Sequence, residues 1–270
     1  MEKQPQDTFD VTVDDSKQVS TEKEDTSEEY NTYGMNALFY DVAYHIDKYQ
    51  VRRFNDGEPY TITIKALSRD HANIDDCIGR LLWKGEILLG NLLLHLPVKG
   101  LDVLELGAGV GYAAFCCRGA RTITISDYLD DIIEVEKDNI HLNEALFQGQ
   151  TAVEAVKLDW FADGAINLKT VRGKKQILFG SELFYDKELI RPLFSTINEL
   201  MDNDGVCYLL NFVFRYINCE KEILECLNSF HFFWEKQLLN YGDATSSYYL
   251  FVIRKQFSDV TSLDPSTLLM

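Results

Sequence analysis

The sequence predicts an α/β protein: a seven-stranded, mostly parallel sheet with helices on both faces and an antiparallel strand near one edge. Three observations predict it. Apolar strand-like runs alternate with helix-like runs from Leu101 onward, which is the pattern of a parallel sheet. The first of those strands runs straight into a glycine turn, Gly107-Ala-Gly-Val-Gly111. The last two strand-like runs, His231 to Leu238 and Tyr248 to Arg254, are joined by roughly nine residues, too few for a crossover, so that pair should be antiparallel.

The elements follow in order. Residues 1–30 hold ten acids, three lysines and few large apolar groups, and are expected to be disordered. Order is expected to begin between Tyr30 and Tyr44, where aromatics cluster. Tyr60-Thr-Ile-Thr-Ile-Lys-Ala66 alternates at period two after Asp56-Gly57, so a short strand or hairpin precedes the main sheet. Arg80 to Leu96 reads as a helix with Leu82, Leu88, Leu89, Leu92, Leu93 and Leu96 on one side, stopped by Pro97. Strands are then expected at 101–106, 121–126, 153–158, 176–181 and 205–213, and helices near 110–118, 129–146, 187–201 and 217–229. The implied organisation is an acidic tail (1–30), an N-terminal segment packing on the core (31–97), a core domain (98–256) and a C-terminal tail (257–270).

Bulk properties exclude several classes. A chain of 270 residues with 46% apolar residues can bury a full core. Its net charge is −17, and about −10 remains without the first 30 residues, far from the basic balance of a duplex-binding protein. A basic partner, such as a lysine-bearing protein surface, would be steered in; the alternative is that the charge serves solubility. Cys77, Cys116, Cys117, Cys207, Cys219 and Cys226 form no C-x-x-C pair, which fits buried thiols in a reducing compartment. The histidines lack metal-ligand spacing. The N-terminus resembles neither a secretory signal nor a transit peptide, and no apolar run reaches the roughly 18 residues of a membrane span. A monomeric protein of the cytoplasm, with the nucleus as the alternative, and without nucleic-acid or membrane partner is expected.

Chemistry is expected at the carboxyl ends of the strands, where open α/β sheets bind ligands. Gly107, Gly109 and Gly111 lack the Cβ atoms that would keep a ligand from the backbone. Their G-x-G-x-G spacing differs from the dinucleotide G-x-G-x-x-G fingerprint, which would need a small residue where Tyr112 stands. An adenosyl ligand without pyrophosphate fits better than NAD. Glu105 stands two residues before the first glycine. Asp127, twenty residues after Gly107, has the spacing of a ribose-hydroxyl acceptor; the alternative is a helix N-cap. Asp159-Trp160 offers a carboxylate for an adenine amino group and an indole face, unless Trp160 is a core residue. Ser181, Glu182 and Tyr185 close the fourth strand, with a core aromatic as the alternative for Tyr185. Acids at 105, 127, 159 and 182 together are hard to explain by packing.

Glu105-Leu-Gly-Ala-Gly-Val-Gly111 resembles motif I of the seven-β-strand S-adenosylmethionine-dependent methyltransferases. Ile78-Gly-Arg-Leu-Leu-Trp83, Asp159-Trp160 and Glu182-Leu-Phe-Tyr185 narrow the resemblance to methyltransferase family 16, whose methyltransferase-like 21 group contains protein-lysine methyltransferases. It spans about residues 55–255. The resemblance implies a Rossmann-like fold with S-adenosylmethionine as cofactor and a lysine-bearing protein as substrate. It further implies that Trp83 lines the cofactor pocket, and that Glu105 and Gly107, beside Gly109, meet the methionine moiety, the acid through its ammonium group. Asp127 would bind the ribose, Asp159 and Trp160 the adenine, Ser181 would border the methyl donor, and Glu182 and Tyr185 would shape the acceptor site. Many members carry aspartate where this chain has Glu182.

The implied mechanism is an in-line transfer to a neutral amine. A lysine ammonium, with an ordinary pKa of about 10.4, must first lose a proton, which desolvation and the nearby sulfonium favour. Glu182 would orient the amine or accept its proton through water. Two other readings compete: a histidine or small-molecule methyltransferase on the same fold, and a cofactor-binding scaffold without catalysis.

Overall fold

The computed structural model describes residues 44–53, 58–68, 78–161, 168–240 and 247–256. The expectations for residues 1–30 and for the start of order lie outside these residues, as do Asp56-Gly57 and Cys77.

Two strands come first, β1 (Tyr44–Val51) and β2 (Tyr60–Leu67), paired antiparallel in a sheet of their own. A 3-10 turn (Ile78–Arg80) leads to α1 (Lys84–Leu93). The helix is shorter than its apolar spacing suggests because Trp83 is extended and forms its N-cap. Then come β3 (Asp102–Leu106), the single turn α2 (Tyr112–Phe115), β4 (Thr122–Asp127), α3 (Asp130–Leu142), α4 (Glu144–Phe147) and β5 (Ala152–Lys157). After a 3-10 turn (Leu168–Thr170) the chain forms β6 (Lys175–Ser181), α5 (Lys187–Leu200), β7 (Met201–Phe212), α6 (Val213–Ser229), β8 (Phe233–Asn240) and β9 (Ser247–Arg254).

The main sheet has seven strands in the order β5-β4-β3-β6-β7-β9-β8. β3 to β7 pair in parallel, and β9 runs antiparallel to both of its neighbours, so the last pair is antiparallel as its short connection requires. The chain winds outward from β3 to β5, then returns to β6 on the other side of β3. That reversal leaves a crevice at the carboxyl ends of β3 and β6. Register aligns those ends: Leu106 lies opposite Ser126, Asp127 opposite Lys157, and Glu105 opposite Phe179. Residues that follow each strand therefore stand in one row.

Apolar residues fill both faces. One cluster joins α1, α2 and the β1–β2 hairpin to the sheet, and the other packs α5 and α6 beneath it. Tyr112, the residue that breaks the dinucleotide pattern, is fully buried. Its ring fits because Gly90 has no side chain: a Cβ there would stand 2.7 Å from the ring. All five described cysteines, Cys116, Cys117, Cys207, Cys219 and Cys226, are buried and free.

Polar groups attach the hairpin. Arg53 is buried and donates to the carbonyls of Leu93, Leu96 and Cys116, satisfying the carboxyl ends of α1 and α2. Asn139 on α3 and Asn143, the residue that caps its carboxyl end, each bond both backbone groups of a β2 residue. Asn139 accepts from Lys65 N (2.7 Å) and donates to Lys65 O (3.1 Å) and Val110 O (2.9 Å); Asn143 does the same for Thr63 N and O. The second edge of β2 is thus paired with side chains instead of a strand. Asn143 also leaves helical geometry (φ −110°, ψ 8°), which splits the helix expected at 129–146 in two. Asn139→Leu should lower unfolding free energy by about 2–4 kcal/mol, because buried backbone groups of Lys65 and Val110 lose their partner. Urea unfolding measures this directly.

Candidate functional site

A cavity of about 410 Å³ opens in the predicted crevice. The glycine turn forms one wall. Gly107 and Gly109 both have left-handed backbones (φ +57° and +58°). A Cβ on Gly107 would stand 2.8 Å from Leu183 Cδ2 and 3.3 Å from Trp160 Cη2; one on Gly109 would stand 2.9 Å from Gly79 O. Bare backbone is therefore a packing requirement here, and it also leaves space for a ligand.

Asp127 ends β4 and ties the turn down: Oδ2 accepts from Gly109 N (3.2 Å), and Oδ1 from Tyr128 N (2.7 Å) and Leu129 N (3.3 Å). It does not cap α3, whose N-cap is Leu129 without any side-chain bond. Burial raises its pKa against the pull of those backbone donors. Asp159 accepts from Phe161 N (2.9 Å), which points the turn after β5 at the cavity. Trp160 is half-buried; it lines the cavity and also packs on the apolar cluster beneath.

The turn after β6 is clamped to β7. Glu182 N donates to Leu210 O (2.8 Å) and Phe184 N to Asn211 Oδ1 (3.0 Å). Glu182 adopts φ +59°, a conformation that costs a side-chain-bearing residue about 1–2 kcal/mol. Its carboxylate accepts from Phe212 N (3.4 Å) and lies 3.6 Å from Arg215 Nε. Arg215 also donates to Glu182 O (3.1 Å), and its guanidinium sits 5.2 Å over the Trp83 ring. Burial raises the Glu182 pKa, and Arg215 pulls it down. Tyr185 is 51% exposed at the mouth, so it is not a core aromatic. Burial of its phenol, then Tyr128 and Asp127, push its pKa up to about 12.

The cavity thus brings together Trp83, Gly107, Gly109, Asp127, Asp159, Trp160, Ser181, Glu182 and Tyr185. Glu105 departs from the expectation of a ligand contact. It is 1% exposed, lies under the turn and accepts from Ala114 N (3.0 Å), so its place is inside the fold. Glu86, on α1, reaches the cavity wall instead, while its carboxylate accepts from Tyr112 N. The sequence reading missed Glu86 and Arg215. Only their helical offsets, three residues after Trp83 and three after Phe212, could have hinted at them.

A family model described as lysine methyltransferase matches residues 66–229, more than half of the chain. The chain belongs to the lysine methyltransferase family. Methyltransferase-like protein 22 of Homo sapiens is 30% identical over 169 residues, covering 53% of this chain and 42% of that protein. Protein-lysine N-methyltransferase EFM3 of Chaetomium thermophilum is 30% identical over 146 residues, covering 50% and 42%. The matches span less than half the length of either relative. A methyltransferase from Pyrococcus furiosus superposes with a TM-score of 0.50 at 17% identity, over 64% of this chain and 83% of that one, which shows the Rossmann-like fold alone. Among the described residues no helix is long and apolar enough to cross a membrane, and no cluster of His, Cys, Asp and Glu is arranged to hold a metal ion.

Three glutamates set the pH dependence of stability in this lysine methyltransferase family member. Glu86, Glu105 and Glu136 are buried near one another beneath the glycine turn. Burial pushes Glu86 up to about 8, and lifts Glu105, aided by Glu86, well above the usual carboxylate range. Burial, then Asp127 and Glu105, do the same to Glu136, whose two carboxylate oxygens have no hydrogen-bond partner among the described residues. A raised carboxyl keeps its proton in the folded chain where the unfolded chain has released it. Stability therefore falls as pH rises from the ordinary value of 4.5 toward about 8. The thermal midpoint should drop across that window. Glu136→Met should flatten the drop and add about 1–3 kcal/mol at pH 8, by removing an unpaired buried polar group. Thermal scans at pH 5 and pH 8 compare the two proteins.

Proposed function

We propose that this protein transfers a methyl group from S-adenosylmethionine to a lysine side chain of a protein substrate. The observation that carries the reading is the row of groups at adjoining strand ends around one cavity: glycine turn, Asp127, Asp159-Trp160, then Glu182 and Tyr185. The residues fit the cofactor. The bare backbone of Gly107 and Gly109 gives close approach, Asp127 accepts from the ribose hydroxyls, and Asp159 with Trp160 holds the adenine. Trp83 and Ser181 border the methyl-bearing end, and the carboxyl of Glu86, which reaches the cavity wall where Glu105 does not, meets the ammonium group, whose charge would draw off the proton that burial holds on it. When bound, the cofactor supplies a methyl group already activated on a sulfonium, so no metal is needed.

The protein's own task is to present a neutral amine. Glu182 accepts a hydrogen bond from the incoming amine and relays its proton to water at the open mouth. Tyr185 stays protonated across the physiological range, so it donates a hydrogen bond and positions, without acting as base. Desolvation in the aromatic mouth and the fixed charge of Arg215 both disfavour the ammonium form.

Titration calorimetry with S-adenosylmethionine, followed by transfer of labelled methyl from the cofactor to cell-extract proteins, tests the proposal. Acid hydrolysis of a labelled band should release methyl-lysine. Release of methyl-histidine would replace lysine by histidine as the acceptor, and absence of cofactor binding would reject the reading altogether.

A further inference from the structure

Helix α1 approaches the acceptor acid at a residue without a side chain. A Cβ built on Gly85 would stand 2.8 Å from Glu182 Oε1, 2.9 Å from Cγ and 3.2 Å from Cδ. Gly85 is itself buried, so the glutamate side chain lies against bare helix backbone. On its other side the carboxylate meets Arg215, which Trp83 holds from behind. The main-chain NH of Phe212 supplies a third constraint. We propose that Gly85 and Arg215 are positioning residues that fit this acceptor site to a glutamate: Gly85 leaves the seat for the longer side chain, and Arg215 fixes its carboxylate.

The inference rests on the reading of Glu182 as the acceptor-site acid. An aspartate is one bond shorter, about 1.5 Å, and would withdraw its carboxylate from Arg215. An alanine at position 85 would fill the seat and push the glutamate carboxylate toward the cavity. Because the displaced atoms belong to a side chain and not to backbone, the fold tolerates the change while the site does not. Gly85→Ala should thus separate activity from stability. An aspartate at position 182 removes the terminal oxygen that the added methyl would strike at 2.8 Å, so the double variant should recover part of what the single one loses.

Arg215 adds a charge effect. The other ionisable groups lining the cavity on this side are Glu86 of α1 and Tyr185 and Asp186 of the turn itself. Across the cavity stand Asp127 at the end of β4, Tyr128 and Asp131 after it, Asp159 after β5, and Arg80 before α1. Acids predominate, so loss of Arg215 leaves Glu182 facing net negative charge. Both Glu182 and the acceptor amine would then hold their protons to higher pH.

The test compares wild type, Gly85→Ala, Glu182→Asp, the Gly85→Ala/Glu182→Asp double variant, Arg215→Ala and Arg215→Lys. The first readouts are cofactor affinity, thermal midpoint, kcat and the pH profile of methyl transfer. Gly85→Ala should bind S-adenosylmethionine and melt like wild type but lose about 100-fold in kcat, the scale of an ångström-sized misplacement. The double variant should regain at least about tenfold of that loss, on the same scale. Arg215→Ala should move the acidic limb to higher pH, and Arg215→Lys should move it part of the way back. Wild-type kcat in Gly85→Ala, or additive losses in the double variant, would overturn the assignment of Gly85. An unmoved acidic limb would overturn that of Arg215. If wild type itself transfers no methyl group, the proposed function fails instead. The titration of Glu182, followed by carbon NMR on labelled glutamate and assigned with Glu182→Gln, then decides the positioning claim: an unchanged titration in both Gly85→Ala and Arg215→Ala overturns it, and a raised pKa in Arg215→Ala supports it.

Discussion

Gly109→Val should abolish S-adenosylmethionine binding while the protein still folds. The residue has φ +58°, which valine adopts only with strain, so stability should fall by about 1–3 kcal/mol. Binding should suffer more. The new Cβ would meet Gly79 O at 2.9 Å, a backbone atom that cannot rotate away, and the turn must open to relieve it. Opening breaks the bond from Gly109 N to Asp127, so the cradle and the ribose acceptor are lost together. An affinity loss of more than about 100-fold corresponds to roughly 3 kcal/mol. Gly149→Val provides the control. Gly149 also has a positive φ (+76°), but a Cβ there meets nothing within 4 Å. It should cost similar backbone strain and leave affinity unchanged. Calorimetry of both variants separates loss of the cradle from general loss of stability; equal affinity in the two would remove the turn from the cofactor site.

The second large effect is expected at Glu182 and Tyr185. Glu182→Gln should reduce kcat by about 10²–10⁴-fold, the range associated with a positioned proton acceptor. Cofactor affinity should stay within a few-fold, because the carboxylate bonds to Phe212 N and faces Arg215, not the backbone of the glycine turn. Tyr185→Phe should lower kcat less and leave the pH profile in place, since the phenol is protonated throughout the working range. Replacing both with alanine should leave a protein that binds cofactor and transfers nothing. Unchanged turnover in both variants would remove them from the acceptor site.

Much of the architecture was legible because its signals are local. Strand–helix alternation, the short link between the last two strands and the glycine turn each act over a few residues; the first two reappear in the sheet order and pairing, and the third in the left-handed glycines after β3. Helix boundaries were less legible. The helix expected at 110–118 is a single turn, because Gly109 and Gly111 are left-handed and the helix ends at Cys116. Helix α6 begins at Val213, four residues before its expected start, because Val213, Phe214 and Tyr216 read locally as strand. That shift hid Arg215, which the expectation left in a loop.

The sequence by itself determined the α/β class, the strand that feeds the glycine turn, the acids at successive strand ends and the family resemblance built on them. These follow from periodicity, spacing and residue chemistry, which neighbours in the chain specify. Tertiary structure alone decided how those acids divide their labour. Glu105 and Glu86 both lie near the turn, yet only the packing of α1 sets which one reaches the cavity. Gly85, Glu182 and Arg215 are separated by tens of residues, and no local pattern links a missing Cβ on one helix to a carboxylate after a distant strand. Their fit is steric and electrostatic across the fold, so it exists only once the chain has closed.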